Sequence, residues 1–357
     1  MKRSLLPGCW LLLWLAVAPA PAQTVALRMS VKIIVHPTNG ALPTNITAQT
    51  FTNAVAAANG WMASYWRGYR YQLTEVTNIG GSSQGGANGP SQWFGSNFSG
   101  DPARSNFFAL AQSDSRYLLR SDQINIYVAT AFAAPGSSGG AMPIPPNSTN
   151  YWGGQIFADN GAFWVVHELG HFFGLYHTHG GCGCSSTDYC SLLNGYWVGD
   201  DGLTDTLFEA SGSSCFTNID QLTLANFTKY FTNCTLAEQT LAMNTFSNAM
   251  SYHLPLQKNL LINRLTEQQL DRFTDHASGD RNAFASGKSY FVSTGGSILG
   301  TGGSLSPLRF LSQGVSVASP GGDDIILLRP GSYNEQLTIN KPVTLRAPRT
   351  GWATIGK

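Results

Sequence analysis

The chain has 357 residues and a formal net charge of +1, with 21 lysines and arginines set against 20 aspartates and glutamates. Charged residues are 11% of it, well under the roughly 25% of an average soluble protein, so no basic surface suited to nucleic acid is expected. Hydrophobic residues reach 43%, enough for a large core, and no run beyond the N-terminus approaches the roughly 20 apolar residues that a membrane span needs.

The N-terminus reads as an export signal. Lys2 and Arg3 precede an apolar run from Leu5 to Val17, and Ala20, Pro21 and Ala22 give the small residues before a cleavage site at Gln23. LLPGC around Cys9 offers a lipoprotein site as the lesser alternative. Removing residues 1–22 takes away two cations and no acid, so the net charge becomes −1. The mature chain then keeps Cys182, Cys184, Cys190, Cys215 and Cys234. In an oxidising compartment an odd number implies two disulfides and a spare thiol; a second metal site within Cys182 to Cys190 is the rival reading. Sequons stand at Asn45, Asn97, Asn147, Asn226 and Asn233 and matter only where the source glycosylates.

In chain order, VKIIVHP (Val31 to Pro37) reads as a buried strand, β-branched and stopped by proline. Thr47 to Tyr69 carries Phe51, Val55, Ala58, Met62 and Trp66 at helical spacing, with Gly60 a weak point. YQLTEV (Tyr71 to Val76) is a second strand, Asn78 to Gly100 a loop rich in glycine and serine, and QINIYVATAF (Gln123 to Phe132) a third strand. Proline and glycine dominate Ala134 to Asn150, within which Gly140 to Pro145 suits an edge strand. GGQIFA (Gly153 to Ala158) adds one more strand, and a helix capped by Asp159 or Asn160 follows. The order predicts an α/β (α+β) domain with a mixed, twisted sheet.

The stretch HELGHFFGLYHTH holds four of the chain's seven histidines. On a helix His167 and His171 share one face, and Gly174 can end the helix so that His177 returns as a third metal ligand. Three imidazoles leave a zinc ion one position for water, whose pKa the metal lowers, and Glu168 is placed to take the proton. Five fixed positions in H-E-x-x-H-x-x-G-x-x-H coincide by chance in roughly one chain in ten thousand of this length. A core histidine that merely hydrogen-bonds is the competing reading for any one of them. His179 lies outside the spacing and is an exposed loop residue or a replacement for His177.

The residues HELGHFFGLYH resemble the zinc signature of the metzincin peptidases, and NAMSYH (Asn248 to His253) resembles their methionine turn, with Met250 beneath the metal. HTHGGCGC and GDDGLTDT are similar to the pappalysin group. The resemblance implies a secreted zinc endopeptidase in which His167, His171 and His177 bind Zn²⁺, Glu168 is general base and Tyr252 stabilises the oxyanion, with a protein or peptide substrate. A structural tyrosine is the plainer reading of Tyr252. The resemblance also implies Ca²⁺ in the loop holding Asp200, Asp201 and Asp205, and disulfides that recruit Cys215 or Cys234; the pairing stays open. No inhibitory propeptide is visible between Gln23 and the first strand.

The peptidase domain is expected over residues 23–285, a linker over 286–306, and a short all-β segment over 307–357. There Ile325 to Leu328, Leu337 to Ile339, Val343 to Leu345 and Ala353 to Ile355 alternate with turns and resemble the opening rungs of a right-handed parallel β-helix. Arg329, Lys341 and Arg346 read as solvated. Besides the peptidase, two functions fit: a catalytically silent module that binds glycan or protein through the tail, and a zinc hydrolase of non-peptide bonds.

Overall fold

The computed structural model describes residues 25–43, 46–84, 86, 88–96, 102–129, 151–153, 161–180, 201–206, 209–210, 234–251, 265–348 and 351–356. The signal segment, the five sequons, the Gly140 to Pro145 edge strand, Asp159, Asn160, Asp200, Tyr252 and every cysteine except Cys234 lie outside the described residues.

Strand β1 (Val25–Val35) is longer than VKIIVHP alone suggested and is buried at every position but Arg28. It lies inside a four-stranded sheet with β2 (Tyr69–Gly80), β3 (Ile124–Val128) and β4 (Tyr151–Gly153), in the order β2-β1-β3-β4. The strand pairings of this sheet are all parallel, and among the described residues the mixed character expected from sequence is limited to an antiparallel bridge between Leu27 and Ala285. The cause is connection by crossover. Helix α1 (Ala48–Ser64) joins β1 to β2, and α2 (Ala103–Ser113) lies between β2 and β3. A bulge between Met29 and Ser30 leaves Thr74 without a partner on β1, and its hydroxyl donates to the Met29 carbonyl at 2.6 Å.

α1 starts at the predicted place because Thr47 and Thr50 form a reciprocal cap, but it stops at Ser64, five residues early. Gly68, at φ +80°, then turns the chain into β2. The segment from Asn78 is β2 as far as Gly80, followed by short 3-10 turns. α2 was not expected from sequence. It is short, no side chain caps it, and only Phe107 and Ala111 mark its buried face.

Alternation along β1 divides the interior. Val25, Leu27, Met29, Val31 and Ile33 meet α1 and α3 (Gly161–Phe172), whereas Ile34 joins Tyr127, Ile79 and Phe107 on the opposite face. That second face also carries a polar seam in which Lys32 donates to Asn125 and Ser30 to Glu75. Helices α4 (Leu236–Phe246) and α5 (Glu267–Ser278) complete the part of the molecule around α3. Among the described residues no helix is long and apolar enough to cross a membrane.

The tail corrects the expected linker. Ser286 hydrogen-bonds to Ala26 of β1, and β7 (Ser289–Ser297) occupies the stretch read as linker. Its glycines serve close packing: a Cβ on Gly296 would stand 2.4 Å from the Leu308 carbonyl oxygen, and one on Gly300 2.3 Å from that of Pro307. β8 (Ile325–Leu328) pairs in parallel with β7 and with β10 (Thr344–Arg346), and β9 (Gly331–Tyr333) with β11 (Ala353–Ile355). Coils thus stack in parallel, offset by 36 residues from Ser289 to Ile325, 19 from Ile325 to Thr344 and 22 from Gly331 to Ala353. Leu337 to Ile339 forms no strand; it is the connection from β9 to β10, and Ile339 is exposed.

β8 is buried on both faces. Ile325 and Leu327 belong to the main core, whereas Ile326 and Leu328 join Val292, Leu311 and Val315 of α6 (Leu311–Val317) in a second one. An ionic seam reinforces the junction. Arg67, only 1% exposed, pairs with Glu267 at 3.0 Å and with Asp271, and Asp271 also takes Arg329. Arg329 is therefore ion-paired and not simply solvated. Lys341 donates to the Ser316 and Ala318 carbonyls, and the Arg346 guanidinium packs where a Gly68 side chain would be.

Burial lowers Lys32 from 10.5 to about 7; Glu75 opposes the shift and Arg120 adds to it. The unfolded chain binds this proton near pH 10 and the folded chain only near neutrality, so stability falls as pH drops between those values and levels off below. Lys32→Met is expected to remove that slope and to stabilise the protein at neutral pH by on the order of a few kcal/mol, less the lost bond to Asn125. Denaturant unfolding across neutral and alkaline pH measures it; an unchanged slope in the variant would refute the assignment.

Candidate metal centre

Helix α3 supplies His167, Glu168 and His171 on consecutive turns, and it is enclosed because Phe163, Val165, Val166 and Leu169 are all core residues. Its end has the hydrogen bonds of a Schellman motif. Gly174 at φ +86° donates to the His171 carbonyl and Leu175 to that of Gly170, both at 2.9 Å. This turn reverses the chain and carries His177 back towards the helix. The returning segment is fixed by a bond of 3.3 Å from Thr178 N to the Met250 carbonyl.

Three imidazoles then converge. His177 Nε2 lies 3.0 Å from His171 Nε2 and 3.2 Å from His167 Nε2. The other nitrogens decide the tautomers: His167 Nδ1 is 2.6 Å from the Ala249 carbonyl and His171 Nδ1 is 2.7 Å from that of Leu175. A carbonyl only accepts, so each Nδ1 carries the proton and each Nε2 presents a lone pair to the common point. Ligand nitrogens at about 2.0–2.1 Å from a tetrahedral zinc stand about 3.3 Å apart, close to the spacings here. The three histidines form a group able to hold a metal ion, with ligand atoms all within 4.8 Å of one another. His167 and His171 are buried and His177 is half-buried. Glu168 is buried beside them. Backbone residue His179 opens the short strand β5 (His179–Gly180), parallel to β6 (Glu209–Ala210).

Met250 packs against the helix at Gly170. A Cβ on Gly170 would stand 2.6 Å from its sulfur, so glycine is required where the turn meets the helix. Residues 248–251 form a tight turn closed by Ser251 N to the Asn248 carbonyl at 3.1 Å, with Met250 N donating to the Asn248 side chain at 2.8 Å. The Ala249 carbonyl that orients His167 belongs to this turn.

In the acidic loop the described carboxylates are held by hydrogen bonds. Asp201 is buried and accepts from Leu203 N and Thr206 Oγ1, both at 3.0 Å; Asp205 accepts from Thr266 Oγ1 at 2.8 Å and from Gln268 N at 3.0 Å. The two carboxylates thus meet hydrogen-bond donors and not each other. Asp205 satisfies an N–H of the first turn of α5, where negative charge is favoured. Burial pushes the Asp201 carboxyl upward against the bonds from Leu203 and Thr206. Among the described residues the histidine group is the one that gathers metal-ligating atoms. Cys234 is disulfide-bonded and directly precedes Thr235, the cap of α4.

Sequence reasoning missed the parts of the centre that are backbone. The Ala249 and Leu175 carbonyls have no side-chain signature, and Asn248 had one that went unused: an asparagine two residues before the methionine is suited to accept from its backbone.

No family model and no curated protein sequence matches the chain. Among solved structures, a chain from "Structure of a chaperone-substrate complex" is similar over 45% of this chain and 25% of its own length, with 15% identity and a TM-score of 0.27. The reading of the site therefore rests on its own geometry.

Gly174 is constrained twice, by its positive φ and by His276, whose Cδ2 would lie 2.1 Å from an added Cβ. Gly174→Ala is expected to cost at least about 2 kcal/mol and to lower the melting temperature by several degrees. It should also weaken metal binding by the three histidines, because the same turn places the Leu175 carbonyl and His177. Calorimetry with a zinc titration checks both effects, and a variant with unchanged values would contradict the geometry.

Proposed function

We propose that the chain is a secreted zinc endopeptidase of the metzincin type, with His167, His171 and His177 as the metal ligands. The observation that carries this reading is the convergence of three Nε2 atoms, two of them with the tautomer fixed by backbone carbonyls. Bound zinc would supply Lewis-acid activation of water and of the scissile carbonyl. Glu168, one residue along the helix from His167, accepts the proton of the attacking water as its oxygen bonds to the carbonyl carbon. It then returns that proton to the leaving amine as the C–N bond breaks. Tyr252, two residues past Met250, is assigned by resemblance as the donor to the oxyanion. The disulfide at Cys234 supports an oxidising, extracytoplasmic location.

A second reading, a catalytically silent module that binds a glycan or protein surface, draws on the exposed apolar side chains of the tail. Leu299 is 87% exposed, Leu305 97% and Trp352 89%.

The test is cleavage of a quenched peptide library by the wild-type chain and by Glu168→Ala, with zinc counted by mass spectrometry. Zinc near one per chain in both, with cleavage lost by at least about a hundredfold in the variant, is the expected outcome. Zinc retained with no cleavage by wild type would favour the binding module, and no zinc would sink the metal reading.

A further inference from the structure

Behind the methionine turn runs a buried line of hydrogen bonds that reaches the metal centre from the acidic loop. Gln269 Nε2 donates to Asp201 Oδ2 at 3.2 Å, and Gln269 Oε1 accepts from Asn248 Nδ2 at 2.9 Å. Asn248 Oδ1 in turn accepts from Met250 N at 2.8 Å, and the next carbonyl along the turn, that of Ala249, holds His167 Nδ1 at 2.6 Å. Gln269 and Asn248 are completely buried.

The polarity of this line does not depend on how the amides were oriented. Thr266 N is a donor and points at Gln269 Oε1 at 3.0 Å, and Met250 N is a donor and points at Asn248 Oδ1. Each amide therefore has its oxygen fixed by a backbone N–H and its nitrogen turned to the next acceptor. Asp201 suits the end of the line because a carboxylate only accepts. Helix α5, which packs outside the histidine cluster, thereby sets the roll of the turn whose carbonyl holds a ligand ring.

We infer that Gln269 is a positioning residue for the metal centre, acting through Asn248 and the Ala249 carbonyl on the His167 imidazole. This rests on the reading of His167 as a metal ligand. Partners that orient a ligand from outside typically change metal affinity by roughly 10–100-fold when removed.

The experiment uses the full chain and zinc itself, titrated against a competing chelator, with the visible absorption of the cobalt-loaded protein as a report on ligand geometry. Gln269→Met fills the same space without polar atoms and is expected to weaken zinc binding by roughly 10–100-fold and to shift the cobalt spectrum. Thr274→Val serves as the control. It lies on the same helix and is fully buried, and its hydroxyl bonds to the Leu270 carbonyl and the Tyr69 phenol, away from Asn248, so it should lose stability while keeping zinc affinity. Rescue comes from exchanging the polar partners: in the Gln269→Glu, Asp201→Asn pair the donor and acceptor trade places, and affinity should return to within a few-fold of wild type. Should Gln269→Met fail to fold, Gln269→Asn, which shortens the reach to Asn248 by one carbon, takes its place with the same expectation. Wild-type affinity and spectrum in the folded Gln269 variant would overturn the positioning role. Absence of zinc binding by wild type would instead overturn the metal reading beneath it.

Discussion

A neutral imidazole has two ring nitrogens and one proton, and the centre of this molecule depends on where two such protons are held. The Ala249 and Leu175 carbonyls take them at Nδ1 of His167 and His171, which leaves both Nε2 lone pairs facing His177. Much of the surrounding structure follows from placing those two carbonyls. Leu175 reaches its position only through the left-handed turn at Gly174, and Ala249 reaches its own only if the methionine turn packs directly on Gly170. The helix, the turn that directly follows it and a turn distant in sequence must therefore be correct together. A helix carrying the same histidines without that backing would leave their rings free to rotate.

Packing supplies the rigidity this demands. β1 is covered on both faces, by α1 and α3 on one side and by the aromatic cluster of Phe107, Tyr117 and Tyr127 on the other. The few charges inside are held by partners: Lys32 by Asn125, Arg67 by Asp271 and Glu267. A buried ion pair is weak evidence of net stability, yet removing one partner leaves an uncompensated charge. The Arg67, Asp271 and Arg329 arrangement therefore binds the link before β2, helix α5 and the tail into one geometry.

How far the sequence could be read differs by element and for identifiable reasons. β1, α1 and β3 were visible because apolar periodicity and a capping threonine are local signals. The histidine spacing exposed the centre, and Met250 was found because its position relative to His177 fits a known pattern. What escaped was non-local. Gly296 and Gly300 looked like part of a flexible linker, but their missing side chains admit the backbone of Pro307 and Leu308. Asp201 and Asp205 read from sequence as possible cation ligands; their hydrogen bonds, Asp201 to Leu203 and Thr206 and Asp205 to the first turn of α5, have no signature in composition. Gln269 carries only a local signal: three residues after Thr266 it completes a helix cap, and nothing in that spacing announces its bond to Asn248.

The contact between Ser286 and Ala26 has a consequence for the order in which the molecule is made. Both bonds of that pair span 260 residues, and β8, still farther along, fills the core beneath β1. Strand β1 cannot complete its edge until Ser286, 260 residues farther along, has been made. Folding dominated by such distant pairings is slow. Until then the apolar face of β1 stays open to association with other chains. A nascent polypeptide of this design stays unfinished for most of its synthesis and depends on protection against aggregation.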